Sequence, residues 1–410
     1  MHVIAARDHR PTEDPIFTLA LEAKARIERG ESIVNATIGA AMNDAGKLAV
    51  LPTAAKALRD VSDADLAAYA PIPGRTDFLN AVKKDLLATV PTLLDAAVAI
   101  ATPGGSGALR AAIQNFLEPG QALLTTNYYW APYLTLADDA ERRVETFSMF
   151  TADGSFDVAD LDRAVGDQLA KQGRVLLFLN DPCHNPTGYS MKREEWRRVI
   201  EALVAHADKG PITLLVDTAY LEYSAGDARA FLPELVPALG KLAVLFAWSA
   251  SKTFTLYGAR IGALIACLGD ATERRATEAA LAYSCRGTWS NCNHAGLVAV
   301  RNLLENPKLN AAVNTEREAL KKTLLERVDA FNELARAKGL RYPRYEGGFF
   351  VTVFHDDSFA HAKTLRDLGV FVVPQKGTLR VALCAVPVAD NYSSLSEYWL
   401  TSRLYIYRNR

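Results

Sequence analysis

The segment LAVLFAWSASKTFTLYGARIG, residues 242–262, begins as an apolar run and continues into small and polar residues around a lysine. The run Leu242–Ala247 lacks polar alternation, which is typical of a strand buried on both faces of a sheet. Further runs share this character: Val98–Thr102, Ala122–Thr126, Val175–Leu179 and Ile212–Val216. Helical patterns lie between them, including Arg193–Lys209 with one apolar stripe. Because strands and helices alternate, the sequence predicts an α/β domain with a mainly parallel sheet between helices.

A second, smaller domain is expected toward the C-terminus. A long helical pattern runs from about Leu309 to Lys338, and Gly339 follows it as a C-terminal stop. Short strand patterns come next, at Phe349–Phe354, Val370–Val373 and Leu379–Ala382. We expect residues 45–310 to form a large domain, and residues 1–44 with 311–410 to form a smaller α+β domain, joined by the long helix near 309–338.

The composition is that of an ordinary globular protein. The 410 residues are 50% hydrophobic and 23% charged, with a formal net charge of -1, which gives no indication of nucleic acid or an acidic membrane as a partner. Charges stand in residues 1–17, where a signal peptide needs an apolar core, so we expect a cytoplasmic location. The cysteines show no CxxC pair, so we expect reduced thiols rather than a disulfide or a metal site: Cys183, Cys267, Cys285, Cys292 and Cys384.

The first candidate for chemistry is Lys252, which follows the apolar run 242–247. A lone lysine at the end of a buried strand is more often a surface residue whose amine reaches solvent. Here hydroxyl groups surround it in the sequence, and Arg260 is a second cation eight residues further on. A lysine desolvated beside another cation becomes a nucleophile that can form a Schiff base. The hydroxyls and the guanidinium also suit a phosphate dianion.

Three further segments carry candidate binding groups. The segment TPGGSGALRAAIQNFL, residues 102–117, leads from a strand through glycines into a helix, an arrangement that binds anions but is often only a turn. In NDPCHNPTGYS, residues 180–190, Asn185 could donate an amide hydrogen bond, although the composition is also that of a plain turn. In LLVDTAY, residues 214–220, Asp217 ends an apolar strand, where a carboxylate is costly unless it is paired. A pyridine nitrogen kept protonated would be such a partner.

Together these segments resemble the fold-type-I aminotransferases that depend on pyridoxal 5'-phosphate (PLP). The resemblance is to the subgroup with the aspartate and aromatic-amino-acid aminotransferases, and it runs nearly from end to end. The lysine segment with its arginine eight residues on, together with NPTG and DxAY, is the specific part of the pattern. The matching segments follow in the family's order: IVNATIGAAMNDAGKLAVL (33–51), YAPIPGR (69–75), GGSGALR, YYWAPY, DPCHNPTG, VDTAY, SASKTFTLYGARIG, CRGTWSN and LRVAL.

The resemblance implies a PLP site with Lys252, Asp217 and Tyr220 as catalytic residues. Lys252 is implied to carry PLP and to move the proton between the substrate's Cα and the cofactor. Asp217 is implied to pair with the ring nitrogen, and Asn185 with Tyr220 to bind the ring oxygen. Trp130 is implied to stack on the ring, although a tryptophan alone would more often belong to the core. The residues implied to hold the phosphate are Gly105, Ser106, Ser249, Arg260 and, across a homodimer interface, Tyr69.

The same resemblance implies how the substrate is bound. Arg380 resembles the family's clamp for the α-carboxylate, a role that suits a planar guanidinium. Gly39, Asn185 and Phe349 are implied to line the same pocket. Arg286 resembles the arginine that reaches across the dimer to a side-chain carboxylate, although an exposed structural arginine is the alternative. The implied reaction moves an amino group between an aspartate-like or aromatic amino acid and a 2-oxo acid, such as 2-oxoglutarate, by a ping-pong Schiff-base mechanism.

The sequence also departs from the family's pattern. Gly104 stands where many relatives have a serine, and Ala131, Pro132 and Tyr133 stand where aspartate enzymes typically have a glycine, a polar residue and a histidine. These departures leave an aromatic substrate open. A PLP lyase on the same fold would keep the lysine and the aspartate with less need of Arg286. A PLP-binding regulator would need a helix-turn-helix extension and a basic patch, which the sequence does not indicate.

Overall fold

The computed structural model describes residues 2–4, 7–8, 10 and 15–387. The chain divides into two compact units, of which the larger comprises Ala49–Leu325 and Arg344–Gly348. The smaller comprises Met1–Leu48, Glu326–Pro343 and Phe349–Arg410, as far as these residues are described. The last part of the expected small domain, residues 388–410, lies outside the described residues, as do residues 1, 5–6, 9 and 11–14.

The secondary structure alternates between strands and helices through the larger unit. The strands are β1 Val34–Asn35, β2 Ala97–Thr102, β3 Ala122–Thr126, β4 Arg143–Phe147, β5 Val175–Asn180, β6 Ile212–Asp217, β7 Ala243–Ser249, β8 Gly262–Cys267, β9 Phe350–Phe354, β10 Val370–Phe371, β11 Val373–Gln375 and β12 Thr378–Ala382. The helices are α1 Pro15–Glu28, α2 Pro52–Arg59, α3 Asp63–Ala67, α4 Thr76–Leu87, α5 Pro91–Asp95, α6 Gly104–Phe116, α7 Pro132–Asp139, α8 Val158–Gln172, α9 Arg193–Ala205, α10 Ala250–Thr253, α11 Ala271–Thr288, α12 His294–Glu305, α13 Pro307–Ala337 and α14 Ser358–Asp367. None of the helices in the described part of the chain combines the length and apolar character that a membrane-spanning helix needs.

The larger unit is built on one sheet with the strand order β2-β8-β7-β6-β5-β3-β4. Strand β8 runs antiparallel to both of its neighbours, and the other pairings between neighbours are parallel. The expected α/β fold with a mainly parallel sheet is therefore confirmed. The apolar runs of the sequence correspond to β2, β3, β5, β6 and β7. Two strands were not predicted from the sequence: β4, which is partly exposed, and β8, which follows directly on the lysine segment.

Both faces of this sheet are buried, which explains why its inner strands lack polar alternation. Successive side chains of a strand point to opposite faces. In β5, Leu177 belongs to one apolar cluster and Phe178 to another, and in β6 the same division separates Val216 from Leu215. Helices cover each cluster, as in other parallel sheets whose strands read as continuous apolar runs.

The smaller unit contains short strands, the helices α1 and α14, and the last part of α13. Strands β11, β12 and β9 form an antiparallel sheet in that order, and β1 pairs with β10 in parallel. Helix α13 lies close to the expected long helix at 309–338. The compact units differ from the expected domain bounds, because residues 311–325 and 344–348 fall in the larger unit and residues 45–48 in the smaller one. Burial of Val313 in the core of the larger unit accounts for the first of these differences.

The first residue of β8 brings two functional segments together. Gly262 pairs with Thr102 at the end of β2 and with Ser249 at the end of β7. A Cβ on Gly262 would lie 2.5 Å from the carbonyl carbon of Gly104 and 2.8 Å from the carbonyl oxygen of Trp248. Both contacts are with backbone, which cannot move aside without shifting the strand ends.

Gly262→Ala is therefore expected to destabilise the protein. Overpacking at a site closed by backbone costs about 1–3 kcal/mol in the free energy of unfolding, measured by urea unfolding followed through tryptophan fluorescence. Gly226→Ala is the matched control, since a Cβ there would meet no atom within 4 Å. Equal unfolding midpoints for the two variants would show that the ends of β7 and β2 tolerate a side chain between them.

Candidate active site

The carboxyl ends of the inner strands place polar residues at one edge of the sheet. Strand β5 ends at Asn180 and β6 ends at Asp217, and these two residues are partners in the strand register. Asp217 is in turn the register partner of Ala247 in β7. The short helix α10, which carries Lys252, begins directly after β7. Because parallel strands all end at this edge, residues distant in sequence become neighbours.

The Asp217 carboxylate is buried and held at both oxygens. Its Oδ2 accepts a hydrogen bond of 2.7 Å from the Tyr133 hydroxyl, and its Oδ1 accepts one of 3.2 Å from the Ala219 N–H. Burial raises the pKa of Asp217, and the hydrogen bonds from Tyr133 and Ala219 and the charge of Lys252 oppose that rise. A cationic ligand beside this carboxylate would offset the cost of its burial.

Tyr133 is a site residue whose role the sequence analysis missed. It lies in the first turn of α7 and is only 1% exposed. Its ring makes an edge contact with Phe178, with centroids 5.3 Å apart, and another with Trp130 at 5.9 Å. The departure at YYWAPY was visible in the sequence, but a sequence pattern does not encode the distance between this segment and Asp217.

Asn180 is a second missed residue, and it joins two predicted ones. Its Nδ2 donates to the carbonyl oxygen of Asp217 at 2.8 Å, and its Oδ1 accepts from the Asn185 N–H at 2.6 Å. The Asn185 Nδ2 donates to the Tyr220 hydroxyl at 3.3 Å. Polar residues ending two adjacent apolar strands were the sequence signal for Asn180. This arrangement fixes the Asn185 turn against the end of β6.

The Lys252 amine lies among aromatic rings. Its Nζ is 4.9 Å from the ring centroid of Tyr257 and 5.8 Å from that of Tyr220. The backbone of this lysine is fixed as well, since its carbonyl oxygen accepts a hydrogen bond of 3.0 Å from the Tyr223 hydroxyl. Ser249 begins α10 by accepting a hydrogen bond from the Ser251 N–H. The structure thus brings Lys252, Tyr220 and Asp217 into one cluster.

The glycine turn before α6 lies against the lysine segment. A Cβ on Gly105 would be 3.4 Å from the Cβ of Ser249. Gly104 has a φ of +72°, and a Cβ there would be 2.5 Å from Nη2 of Arg260. The positive φ is a backbone conformation that favours glycine at this position. Ser106 follows in the first turn of α6, so its N–H is among those that the helix itself leaves unbonded.

Arg260 closes this turn from the other side. Its Nη1 donates to the carbonyl oxygen of Tyr257 at 2.9 Å and to the Ser251 hydroxyl at 3.4 Å, while its Nη2 donates to the carbonyl oxygen of Pro103 at 3.4 Å. The guanidinium is therefore directed at the glycine turn and the hydroxyls of the lysine segment. A helix N-terminus, hydroxyls and a guanidinium together form a site for a phosphate.

Arg380 lies in the smaller unit with two of its predicted neighbours. It is 5% exposed, and its Nη2 donates to the carbonyl oxygen of Thr37 at 2.8 Å. The guanidinium carbon lies 4.5 Å from the ring centroid of Phe350. The same ring is 2.8 Å from the position a Cβ on Gly39 would take. The aromatic residue in contact with Arg380 and next to Gly39 is thus Phe350, which was not predicted from the sequence. The predicted Phe349 is the buried neighbour of Phe350.

Three predicted residues lie toward the surface of the larger unit. Tyr69 is 89% exposed. Arg286 is exposed near the end of α11, where its Nη1 donates to the Ser290 hydroxyl at 2.6 Å. Trp130 is half-buried and contacts Tyr133 as described above. The contacts described above for Lys252 and Asp217 within one chain do not involve Tyr69 or Arg286.

The comparisons with known proteins agree with this geometry. Residues 31–394 match the family model of class I and II aminotransferases, and the chain belongs to that family. It is 33% identical over 244 residues to an aromatic-amino-acid aminotransferase of Pseudomonas aeruginosa, an alignment that spans 57% of this chain and 58% of that enzyme. It is also 33% identical to an aminotransferase of Anaerococcus prevotii of solved structure, with a TM-score of 0.92 and all of both chains covered.

A further structure shows the same fold with its cofactor attached. The aromatic-amino-acid aminotransferase of Burkholderia pseudomallei, covalently bound to PLP, is 24% identical and has a TM-score of 0.81 over 98% of this chain and all of that one. The family to which the chain belongs depends on PLP, and the chain is a PLP-dependent transferase.

The residues at the sheet edge fit a pyridine ring with a phosphate arm. Among the described residues, the Asn185 Oδ1 is a buried acceptor for which the chain itself supplies no donor. Asp217 is a buried carboxylate whose raised pKa shows the cost of its desolvation. The glycine turn at 104–105 lets backbone N–H groups approach an anion beside Arg260. Each of these features suits one part of the cofactor: ring oxygen, ring nitrogen and phosphate.

Proposed function

We propose that this chain transfers an amino group between an aspartate-like or aromatic amino acid and a 2-oxo acid, with 2-oxoglutarate as the acceptor, in two alternating half-reactions of ping-pong type. The observation that carries the proposal is the pair formed by Asp217 at the end of β6 and Lys252 directly after β7. The charge of Lys252 acts on the buried carboxylate, so both groups belong to one site.

Bound PLP supplies an electron sink for the negative charge that develops at the substrate's Cα. Asp217 holds a proton at the ring nitrogen, which its negative charge favours. Asn185 and Tyr220, already in contact at 3.3 Å, hydrogen-bond the ring oxygen. Trp130 covers the face of the ring. The phosphate is held by Gly105, Ser106, Ser249 and Arg260, with Tyr69 supplied by a second copy of the chain.

Lys252 has two tasks in this proposal. Its amine would hold the cofactor covalently, and as a free amine it would act as the general base that moves the proton at the substrate's Cα. The hydrogen bond from Tyr223 to the Lys252 carbonyl oxygen fixes the backbone, so the amine moves only by rotation of its own side chain. Rigid placement of a proton carrier favours transfer over a short distance.

Two arginines divide the recognition of the substrate. Arg380 binds the α-carboxylate, and stacking on Phe350 keeps its guanidinium plane in one orientation. Gly39, Phe349 and Asn185 are the further residues proposed to bind the amino acid. Arg286 binds a side-chain carboxylate in the site of the second copy. Its exposure and its position on α11 support a role outside its own chain.

The proposal includes a homodimer located in the cytoplasm. Large apolar residues are exposed near the expected contact: Val50 49%, Leu66 67%, Tyr69 89% and Ile72 37%. Adjacent exposed apolar side chains of this kind mark protein–protein interfaces. The cysteines are all buried free thiols, which suits a reducing compartment.

Lys252 is expected to be the residue that carries PLP. Borohydride reduction of the holoenzyme followed by peptide mapping should place the pyridoxyl group on this residue. Lys252→Ala should bind PLP without covalent attachment and lose turnover by more than about 1,000-fold, because general-base catalysis alone contributes roughly 10²- to 10⁴-fold.

The control for this experiment is Lys241→Ala, an exposed lysine just before β7, which should behave as wild type. A pyridoxyl label on another lysine would contradict the assignment. Release of ammonia with the cofactor left in its aldehyde form would identify a lyase in place of an aminotransferase.

Mixing of two inactive variants is expected to test the shared site. A hybrid dimer of Lys252→Ala and Arg286→Ala chains holds one site with both defects and one with neither. With aspartate as donor, an equal mixture that exchanges freely should recover about a quarter of wild-type activity, since half of the dimers are hybrids. Failure to recover activity, with exchange shown by mass-tagged chains, would mean that each site is complete within one chain.

Arg286 is expected to govern dicarboxylic substrates alone. Removing it leaves a buried carboxylate unpaired, at a cost of about 2–5 kcal/mol. Arg286→Ala should therefore lower kcat/KM for aspartate and 2-oxoglutarate by roughly 30-fold to several thousand-fold, and leave phenylalanine half-reactions nearly unchanged. Arg380→Ala should damage every substrate, because all of them carry an α-carboxylate.

The matched control is Arg275→Ala, another exposed arginine on α11, which should leave both substrates unaffected. Equal losses for aspartate and phenylalanine in Arg286→Ala would show that Arg286 has a structural role. The enzyme would then be a general or aromatic aminotransferase.

A further inference from the structure

The hydrogen bond between Tyr133 and Asp217 has not yet been given a role in the proposed function. At 2.7 Å, it joins a side chain that is 1% exposed to one that is 6% exposed. The tyrosine ring is fixed on several sides, by Phe178 at 5.3 Å, Trp130 at 5.9 Å and Tyr129 at 6.4 Å between centroids. A ring packed in this way cannot swing its hydroxyl away from the carboxylate.

We propose that Tyr133 is a positioning residue, which holds Asp217 through Oδ2 and, by stabilising the carboxylate, keeps the shared proton on the cofactor's ring nitrogen. This inference rests on the proposed function of Asp217 as the partner of that nitrogen. The other oxygen, Oδ1, accepts only the longer bond of 3.2 Å from Ala219 among the hydrogen bonds described, so it is the oxygen better placed to take a further donor.

The groups around the Asp217 carboxylate decide whether Tyr133 moves the shared proton toward the ring nitrogen or away from it. A proton between a carboxylate and a pyridine nitrogen resides on whichever base is stronger. Burial strengthens Asp217 as a base by raising its pKa, and the Tyr133 hydroxyl, the Ala219 N–H and Lys252 are the groups that lower it. Tyr133 itself stays protonated, because burial and the neighbouring carboxylate raise its pKa well above the ordinary value. It therefore remains a donor throughout the working pH range of a neutral enzyme.

The same ring links Asp217 to Trp130, the residue proposed to cover the ring of the cofactor. Tyr133 contacts the indole edge to face, with an interplanar angle of 88°. The Tyr133 side chain thus contacts both the Asp217 carboxylate and the Trp130 indole. Removing only the hydroxyl separates the two tasks, since the ring contacts remain while the hydrogen bond disappears.

Tyr133→Phe is the variant that tests the proposal. Wild type and variant are loaded with PLP enriched in nitrogen-15 at the ring, and the nitrogen-15 NMR shift reports whether the ring nitrogen carries a proton. The variant is expected to move toward the shift of neutral pyridine and to lose about 10- to 100-fold in kcat, the range for a hydrogen bond to a charged group. KM should change less than threefold, because the substrate contacts are intact.

Tyr189→Phe is the matched control. Tyr189 is also 1% exposed, and its hydroxyl also donates to a buried carboxylate, that of Glu195. Its loss should lower the free energy of unfolding much as Tyr133→Phe does, while the nitrogen-15 shift and kcat stay at wild-type values. Tyr133→His retains a donor and is expected to recover part of the nitrogen-15 shift.

The outcomes separate this proposal from the proposed function. Borohydride labelling of Lys252 together with a protonated ring nitrogen in wild type would support the function. If Tyr133→Phe then kept the wild-type nitrogen-15 shift and kcat, the role of Tyr133 would be overturned while that function stood. A neutral ring nitrogen in wild type would instead overturn the role of Asp217, and that of Tyr133 with it. If Tyr133→Phe yields no holoenzyme, Tyr133→His decides, since a neutral ring nitrogen in that variant would contradict a role for the donor.

Discussion

Burial of the Asp217 carboxylate is the constraint around which this edge of the sheet is arranged. A carboxylate that is 6% exposed is unfavourable unless donors or cations surround it. Tyr133 and Ala219 supply the donors, and Lys252 supplies a nearby positive charge. Asn180 fixes the backbone of the same residue. The chain thus keeps a buried negative charge in place, and a cationic ring bound beside it would offset the cost of that burial. A core optimised for stability alone would not contain such a charge.

The antiparallel strand β8 solves a second geometric problem. Strands β2 and β7 run in the same direction on either side of it, so their carboxyl ends lie two strand spacings apart, about 10 Å. The glycine turn after β2 must cross that gap to reach Ser249. It does so directly over Gly262, where any side chain would collide with Gly104 and Trp248. The glycine turn proposed to hold the phosphate therefore depends on the missing side chain of Gly262.

The sequence was sufficient for the parts of the fold and site that depend on local pattern. Apolar runs predicted the inner strands because both faces of the sheet are buried. The resemblance implied that Lys252, Asp217 and Asn185 belong to one site, and parallel strands that end at a common edge are the physical reason why such residues can meet. The edge strand β4 was missed because its residues are partly exposed. Asn180, Tyr133 and Phe350 were missed because their importance comes from a partner distant in sequence, a distance that periodicity does not encode.

Tyr133 stands where the resemblance to aspartate aminotransferases implies a histidine, and the two side chains would act differently beside Asp217. A hydroxyl and an imidazole can each donate a hydrogen bond to a carboxylate, but they differ in titration. An imidazole gains a charge near neutral pH, whereas a buried phenol beside a carboxylate stays neutral and remains a donor. With Tyr133 as donor, the proton balance at Asp217 depends on fixed dipoles and on Lys252 rather than on a second group that titrates near neutrality. The ring contacts with Phe178 and Trp130 hold this phenol in place, so packing and donor chemistry act on the same carboxylate.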